Sequence, residues 1–379
     1  RVFGIYTMVN LSATTAGQMV LTLGDARGYF FFVLAAMVYC LALLPTAISA
    51  TATPKPLTTV SLDIRALWRN SPIAVFAILM VGLPWYANLG LALLVGHTIG
   101  CQALLAHEVL HGALGMSRRW QNFFGWLGFG PLMVPPEFWR KWHNVVHHGN
   151  TNTGDTDPDS FGTLRRYKTN PGQKKFHKLA PGSGTWYSYL FLTYSFTFHA
   201  QLVLWIQAKH RKQFKGFNRN LAIAQVFLCL ALWVALAVVS GPLAVFTVLI
   251  PFMTANALGQ GYILTNHFLR PQTPTNNPLD NSMSLRSNPV LDRLHFRFSH
   301  HIEHHFFPKM AHNMAPRVRK WLEENEPERY MAMPHGKALK MLYTTPRVYK
   351  SATELVDPND ETRVFDLLPL QREFSAANR

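Results

Sequence analysis

Two stretches of this chain, Ser71 to Ser117 and Asn220 to Leu269, contain no lysine or arginine. Long cation-free runs of Leu, Val, Ala and Phe are what a bilayer asks of a helix, roughly 20 apolar residues per crossing. The 379 residues carry 36 Lys+Arg against 20 Asp+Glu, a net charge of +16, yet only 15% are charged and 49% are hydrophobic. That composition excludes a disordered or collagen-like chain. A soluble nucleic-acid binder would spread or stripe its charge over an exposed face, whereas here the basic residues are confined between apolar runs. The expectation is an integral, multi-pass membrane protein with no nucleic-acid partner.

Candidate spans are Tyr29–Ala50, Pro72–Tyr86, Leu89–Leu105, Trp186–Ile206, Leu221–Ser240 and Pro242–Leu264. Pro84-Trp85 divides the second from the third and Gly241-Pro242 the fifth from the sixth, so each pair is predicted to form a tight hairpin. Both tips lack basic residues. Loops rich in them, Lys55 to Arg69, Arg118 to Lys178, Lys209 to Arg219 and everything after Arg270, mark the cytoplasmic face. A crossing at Trp186–Ile206 would put the Lys209-to-Arg219 cluster outside. That segment also carries Ser188, Thr193, Ser195, Thr197, His199 and Gln201, so it is predicted to be an interfacial amphipathic helix. The expected fold class is an all-α membrane protein: two transmembrane helical hairpins, one further crossing near the start, and a cytoplasmic helical domain. Cys40, Cys101 and Cys229 lie in apolar stretches and offer neither a disulfide framework nor a CxxC metal site. The chain starts at Arg1 without Met, as a fragment or a processed product would, and nothing near the start has the form of a signal peptide.

Of 17 histidines, eight fall into three compact patterns: His107-Glu108-Val-Leu-His111, His143-Asn-Val-Val-His147-His148 and His301-Ile-Glu303-His304-His305. Helical positions three and four apart share a face, so each pattern offers imidazoles to a common point. Neutral imidazole is a good ligand for iron, zinc or copper. Charge placement puts all three patterns on one side of the membrane. Eight donors are too many for one ion and suit a His-rich dimetal site with open positions. Beside a lipid, with no carboxylate bridge evident, they point to a redox pair handling dioxygen. His107-Glu108-x-x-His111 is also formally HExxH, with Glu108 as the general base of a zinc hydrolase; such an enzyme would not need the other six.

In order and in relation to the hairpins, these patterns resemble the three histidine boxes of the membrane fatty acid desaturases. The surrounding words are similar too: Trp139-Arg-Lys-Trp-His143, Thr151-Asn152, Asp157-Pro158-Asp159 and His304-His305-Phe-Phe-Pro308. The resemblance covers the chain from near Pro84 to near Pro316. The HxxxH first box is similar to the acyl-lipid branch; the acyl-CoA branch has a first box one residue longer. Box three begins with His301 rather than Gln, and no fused cytochrome b5 domain is expected, unlike a front-end desaturase. The resemblance implies a non-haem centre of two iron ions with O2 as co-substrate. Two electrons would come from a separate donor of ferredoxin or cytochrome b5 type, and two hydrogens would leave neighbouring carbons of a lipid-linked acyl chain. The metal ligands it implies are His107, His111, His143, His147, His148, His301, His304 and His305, with His267 of Thr265-Asn266-His267 as a ninth. The acyl-CoA branch has an Asn four residues before that ninth histidine, where this chain has Ile263. Asp155, Asp157 and Asp159 could hold box-two imidazoles from behind or simply form a solvated turn. Glu108 and Glu303 occupy no ligand position, and roles behind the ligands or at the surface are open for both, as they are for His300. His97, ten residues before His107 and so roughly 15 Å along a helix, is expected to pack. Hydroxylase, ketolase or acetylenase chemistry is the alternative on the same scaffold.

Residues 1–82 instead resemble a stretch of a major facilitator transporter, through Arg1-Val-Phe-Gly-Ile-Tyr6, Gly17-Gln18, Gly28-Tyr29-Phe30-Phe31 and Leu67-Trp68-Arg69-Asn70-Ser71-Pro72. Such carriers need two six-helix halves, so this stretch is too short to transport. The expected domains are 1–82, 83–316 and a cytoplasmic cap, 317–379, facing anionic lipid or an acidic electron donor. The alternative of a different class is an inactive metal-binding or transporter-like membrane protein.

Overall fold

The computed structural model describes residues 83–378. The Tyr29–Ala50 span, nearly all of the Pro72–Tyr86 span and the transporter-like segment lie outside the described residues. The described chain is mostly helical and divides into two compact units, residues 83–133 with 224–255 and residues 134–223 with 256–378. Three stretches are long and apolar enough to cross a membrane: Trp85–His111, Arg219–Val238 and Gly241–His267.

The first unit holds the apolar helices. Helix α1 (Trp85–His111) begins directly after Pro84, whose fixed φ suits a helix start. It runs six residues beyond the expected Leu89–Leu105 span, so His107 and His111 end this helix rather than follow it. Gly112 terminates it in the left-handed conformation, its N–H returning to the Val109 carbonyl. Helix α2 (Arg118–Phe129) packs back along α1. Two of the three long stretches meet near Gly241-Pro242, where a short 3-10 turn, Gly241–Leu243, follows the long helix Arg219–Ser240. Phe227, Leu228, Leu232, Val234 and Val238 of that helix are exposed, as side chains facing lipid would be. Several polar side chains in this apolar region bond within the protein, as a bilayer requires. Thr247 Oγ1 donates to Ser240 Oγ at 2.7 Å, Ser240 Oγ donates to the Leu236 carbonyl at 2.7 Å, and Trp233 Nε1 donates to the Pro131 carbonyl at 2.8 Å.

The second unit carries boxes two and three. Trp186–Thr193 is a 3-10 helix, and the following helix Ser195–His210 turns from it by 79°. The segment is therefore broken, not one straight rod. Ser188, Ser195 and Thr197 are buried, and the Thr197 backbone N–H donates to Asn256 Oδ1 at 2.9 Å. The all-helical expectation needs one correction, because five short strands are present among the described residues. Strand β1 (Ser284–Arg286) pairs in parallel with β2 (Ala332–Pro334), and β3 (Val348–Tyr349), β4 (Glu354–Asp357) and β5 (Asp360–Asp366) form an antiparallel sheet. Their alternation is too short to stand out in sequence. Met283, Leu285, Met331, Met333, Leu342 and Leu355 bury between these strands and the helix His335–Thr344. Residues beyond 316 thus share a core with strand β1, which precedes box three.

A methyl group at Gly128 would lie 2.4 Å from Ala106 Cβ and 2.5 Å from the Gln102 carbonyl oxygen, where α2 presses on α1. Gly128→Ala should destabilise the detergent-solubilised protein by about 1–3 kcal/mol, read as a fall in melting temperature. Gly90→Ala, on an exposed face of α1 with nothing within 4 Å, should instead be neutral or stabilise by up to about 1 kcal/mol. Identical melting of the two variants would contradict the packing described.

Candidate metal centre

Box one is a pair of imidazoles on one face of α1, at residues i and i+4, with ring centres 4.6 Å apart. Both rings are buried.

Box two departs from the helical expectation in an informative way. Five residues at 3.6 per turn would swing His148 about 140° away from His143. The segment Arg140–His147 is instead a π-helix, and the His148 N–H bonds to the His143 carbonyl five residues back. This wider turn, common at functional sites, brings His148 Nε2 to 3.2 Å from His143 Nε2. Box three, on the short helix His301–Phe306, then supplies His304, whose Nε2 also lies 3.2 Å from His148 Nε2.

A second group forms beside the first. His267, the last residue of the helix Ile250–His267, places Nε2 2.7 Å from His301 Nε2, which is 3.1 Å from His305 Nε2. Nitrogens of His147, His267 and His305 all lie within 4.8 Å of one another. The rings of His148 and His305 stack at 4.2 Å, so the two groups adjoin. Seven of the nine histidines singled out by sequence are thereby brought together inside the second unit. A neutral imidazole has one N–H, so three Nε2 atoms meeting at one point are not a self-sufficient hydrogen-bond arrangement. They do fit a metal: with bonds of ~2.1 Å, adjacent nitrogens around an octahedral ion stand about 3 Å apart.

The far nitrogens are held as ligands require. His147 Nδ1 lies 3.0 Å from Asp157 Oδ1 and 3.2 Å from Asp159 Oδ2. Asp157 is locked in turn by the N–H groups of Asn152 (2.7 Å) and Asp159 (2.9 Å). Asp159 Oδ1 accepts from Trp142 Nε1 and meets His199 Nε2, each at 2.9 Å. His267 Nδ1 sits 3.4 Å from Ser282 Oγ, and His305 Nδ1 3.4 Å from Thr151 Oγ1. The loop after His267 is tied to box two by Tyr349, whose hydroxyl donates to the Arg270 carbonyl at 2.6 Å and accepts from Asn152 Nδ2 at 3.1 Å. His199, Tyr349 and Ser282 were not singled out as site residues by sequence. In sequence His199 stood out only as one of several polar residues of the Trp186–Ile206 segment. His97 lies apart on α1, 3.7 Å from Cys101 Sγ.

Burial holds the His304 imidazole down to about 3, with help from the nearby His147 charge, and holds His305 well below its ordinary value. These rings are neutral, the form that binds metal. Burial disfavours the His147 cation too, but Asp157 and Asp159 outweigh it and raise His147 to about 9. In metal-free protein this pairing contributes stability in full below the unfolded value of 6.5, and loses it as pH rises through about 9. Asp159, lowered to about 2 chiefly by the His147 charge against its own burial, titrates outside that window. The melting-temperature advantage of metal-stripped wild type over Asp157→Asn should therefore be largest below pH 6.5 and shrink toward pH 9. An advantage that grows with pH over that interval would refute the pairing.

No curated protein matches this chain. A family model described as fatty acid desaturase matches residues 83–337, which run from the start of α1 through both remaining boxes to strand β2 and just beyond. That is more than half of the sequence, and with the histidine geometry above it establishes that the chain belongs to the fatty acid desaturase family.

Proposed function

We propose that this protein is a membrane di-iron desaturase, which uses O2 to remove two hydrogens from neighbouring carbons of a lipid-linked acyl chain. The observation that carries the proposal is the meeting of Nε2 atoms at two adjoining points. His143, His148 and His304 would hold one iron, and His147, His267, His301 and His305 the other. His107 and His111 of box one complete the proposed set of nine ligands. When bound, the iron pair supplies the redox chemistry with O2 that unactivated C–H bonds demand and side-chain acid–base groups cannot provide.

The chain's own residues supply the rest. Asp157 and Asp159 fix the tautomer and direction of His147, and burial keeps His304 and His305 in ligand form. The apolar helices give a lipid-linked chain a dry approach. The positive-inside tendency of the basic loops supports a metal centre on the cytoplasmic face. Electrons would arrive from a separate ferredoxin- or cytochrome b5-type donor, and the basic residues of 317–379 would meet its acidic surface or anionic lipid. Residues 1–82 are assigned to a transporter-like extension outside the catalytic domain.

Mass spectrometry of total fatty acids from cells expressing this chain, with His304→Ala as control, tests the reading. The expected product is a species lighter by two hydrogen atoms, absent in the control. A species heavier by one oxygen atom would replace desaturation with hydroxylation. No new species, from cells co-expressing either donor type, would reject acyl-chain oxidation. Iron retained in full by His304→Ala would reject the ligand assignment.

A further inference from the structure

Box three lies on a helix of only six residues, His301–Phe306, flanked at His300 and Phe307 by non-helical backbone. So short a helix cannot fix its own shape. At about 100° per residue, His301, His304 and His305 share one face and Glu303 projects from the opposite one. The aim of the three imidazoles is therefore set by whatever grips the Glu303 side.

That grip is dense. Glu303 is fully buried, and a carboxylate there must be matched in full. Its Oε2 accepts from Ser284 Oγ at 2.6 Å, and its Oε1 accepts from Tyr330 OH at 2.7 Å and from Arg319 Nε at 3.0 Å. Arg319, on the helix Ala315–Asn325, reaches on with Nη2 to the carbonyls of Leu285 at 3.1 Å and Ser299 at 3.4 Å. Ser284 Oγ also accepts the backbone N–H groups of His301 and Ile302, both at 3.1 Å. Strand β1, its connection to β2 and the following helix thus hold one carboxylate from three directions.

We infer that Glu303 and Arg319 are positioning residues: their buried ion pair turns the box-three helix so that its imidazoles face the metal centre. The inference rests on the di-iron reading above. Neither residue touches metal or substrate. A purely stabilising pair would behave differently, because replacing both members of a buried ion pair by apolar residues is often neutral for stability, whereas removing one strands a charge.

The test uses full-length protein in detergent: wild type, Glu303→Gln, Arg319→Lys and the double variant Glu303→Leu/Arg319→Met. Iron affinity is measured by chelator competition, the iron environment by Mössbauer spectroscopy of iron-57-loaded protein, and folding by thermal melting. The double variant should melt near wild type, yet bind iron about 10- to 100-fold more weakly, as loss of a group behind a ligand does, with altered Mössbauer doublets. Arg319→Lys keeps the charge but loses the reach to two carbonyls, and should shift the doublets with a smaller loss of affinity. If Glu303→Gln does not fold, the other two variants carry the test. Wild-type iron affinity and doublets in the double variant would overturn the positioning role alone. Wild-type protein that binds no iron would overturn the di-iron reading itself, and that result is visible before any variant is made.

Discussion

Two protonated imidazoles 3 Å apart would repel by about 5 kcal/mol at an effective dielectric of about 20, and this protein packs several such pairs into a dry interior. The arrangement exists only because burial keeps the rings neutral. His304 and His305 are pushed down by the surroundings that collect them. His147 is the exception, and it carries its charge only against the two carboxylates of Asp157 and Asp159. The fold thus separates nitrogen donors on the inside from anions behind them. Nearly every polar contact around the centre serves one side of that division.

The division of the chain follows from the same constraint. Apolar helices supply a surface that water avoids, and their few hydroxyls are consumed internally, as with Ser240 and Thr247. The second unit, richer in loops and strands, supplies what a bilayer helix cannot: backbone N–H groups, carboxylates and arginines arranged in three dimensions. Family membership, established over residues 83–337, spans both kinds of structure.

The histidine clusters were legible because histidines repeat at helical spacing, a local signal that survives in one dimension. The described apolar runs were legible for the same reason, down to the break at Gly241-Pro242. The π-helical turn in box two was not, since nothing in His143-Asn-Val-Val-His147-His148 distinguishes an i+4 repeat from an i+5 one. The residues were named from an ordinary helical repeat, whereas Arg140–His147 is a π-helix. Glu303 was left open between surface and interior because its partners Arg319, Tyr330 and Ser284 lie 16, 27 and 19 positions away. The short strands escaped for a related reason: three-residue β1 and β2 are made by the pairing, not by their own alternation.

Arg270 shows what such distant closure demands of the chain in time. It follows His267 by three residues, and its guanidinium is held by the Leu279 carbonyl at 2.5 Å, by Met331 Sδ at 2.8 Å and by Gln371 Oε1. Gln371 lies 101 positions later in the sequence. A chain emerging from the ribosome therefore exposes all of its histidines before it can clamp the loop behind one of them.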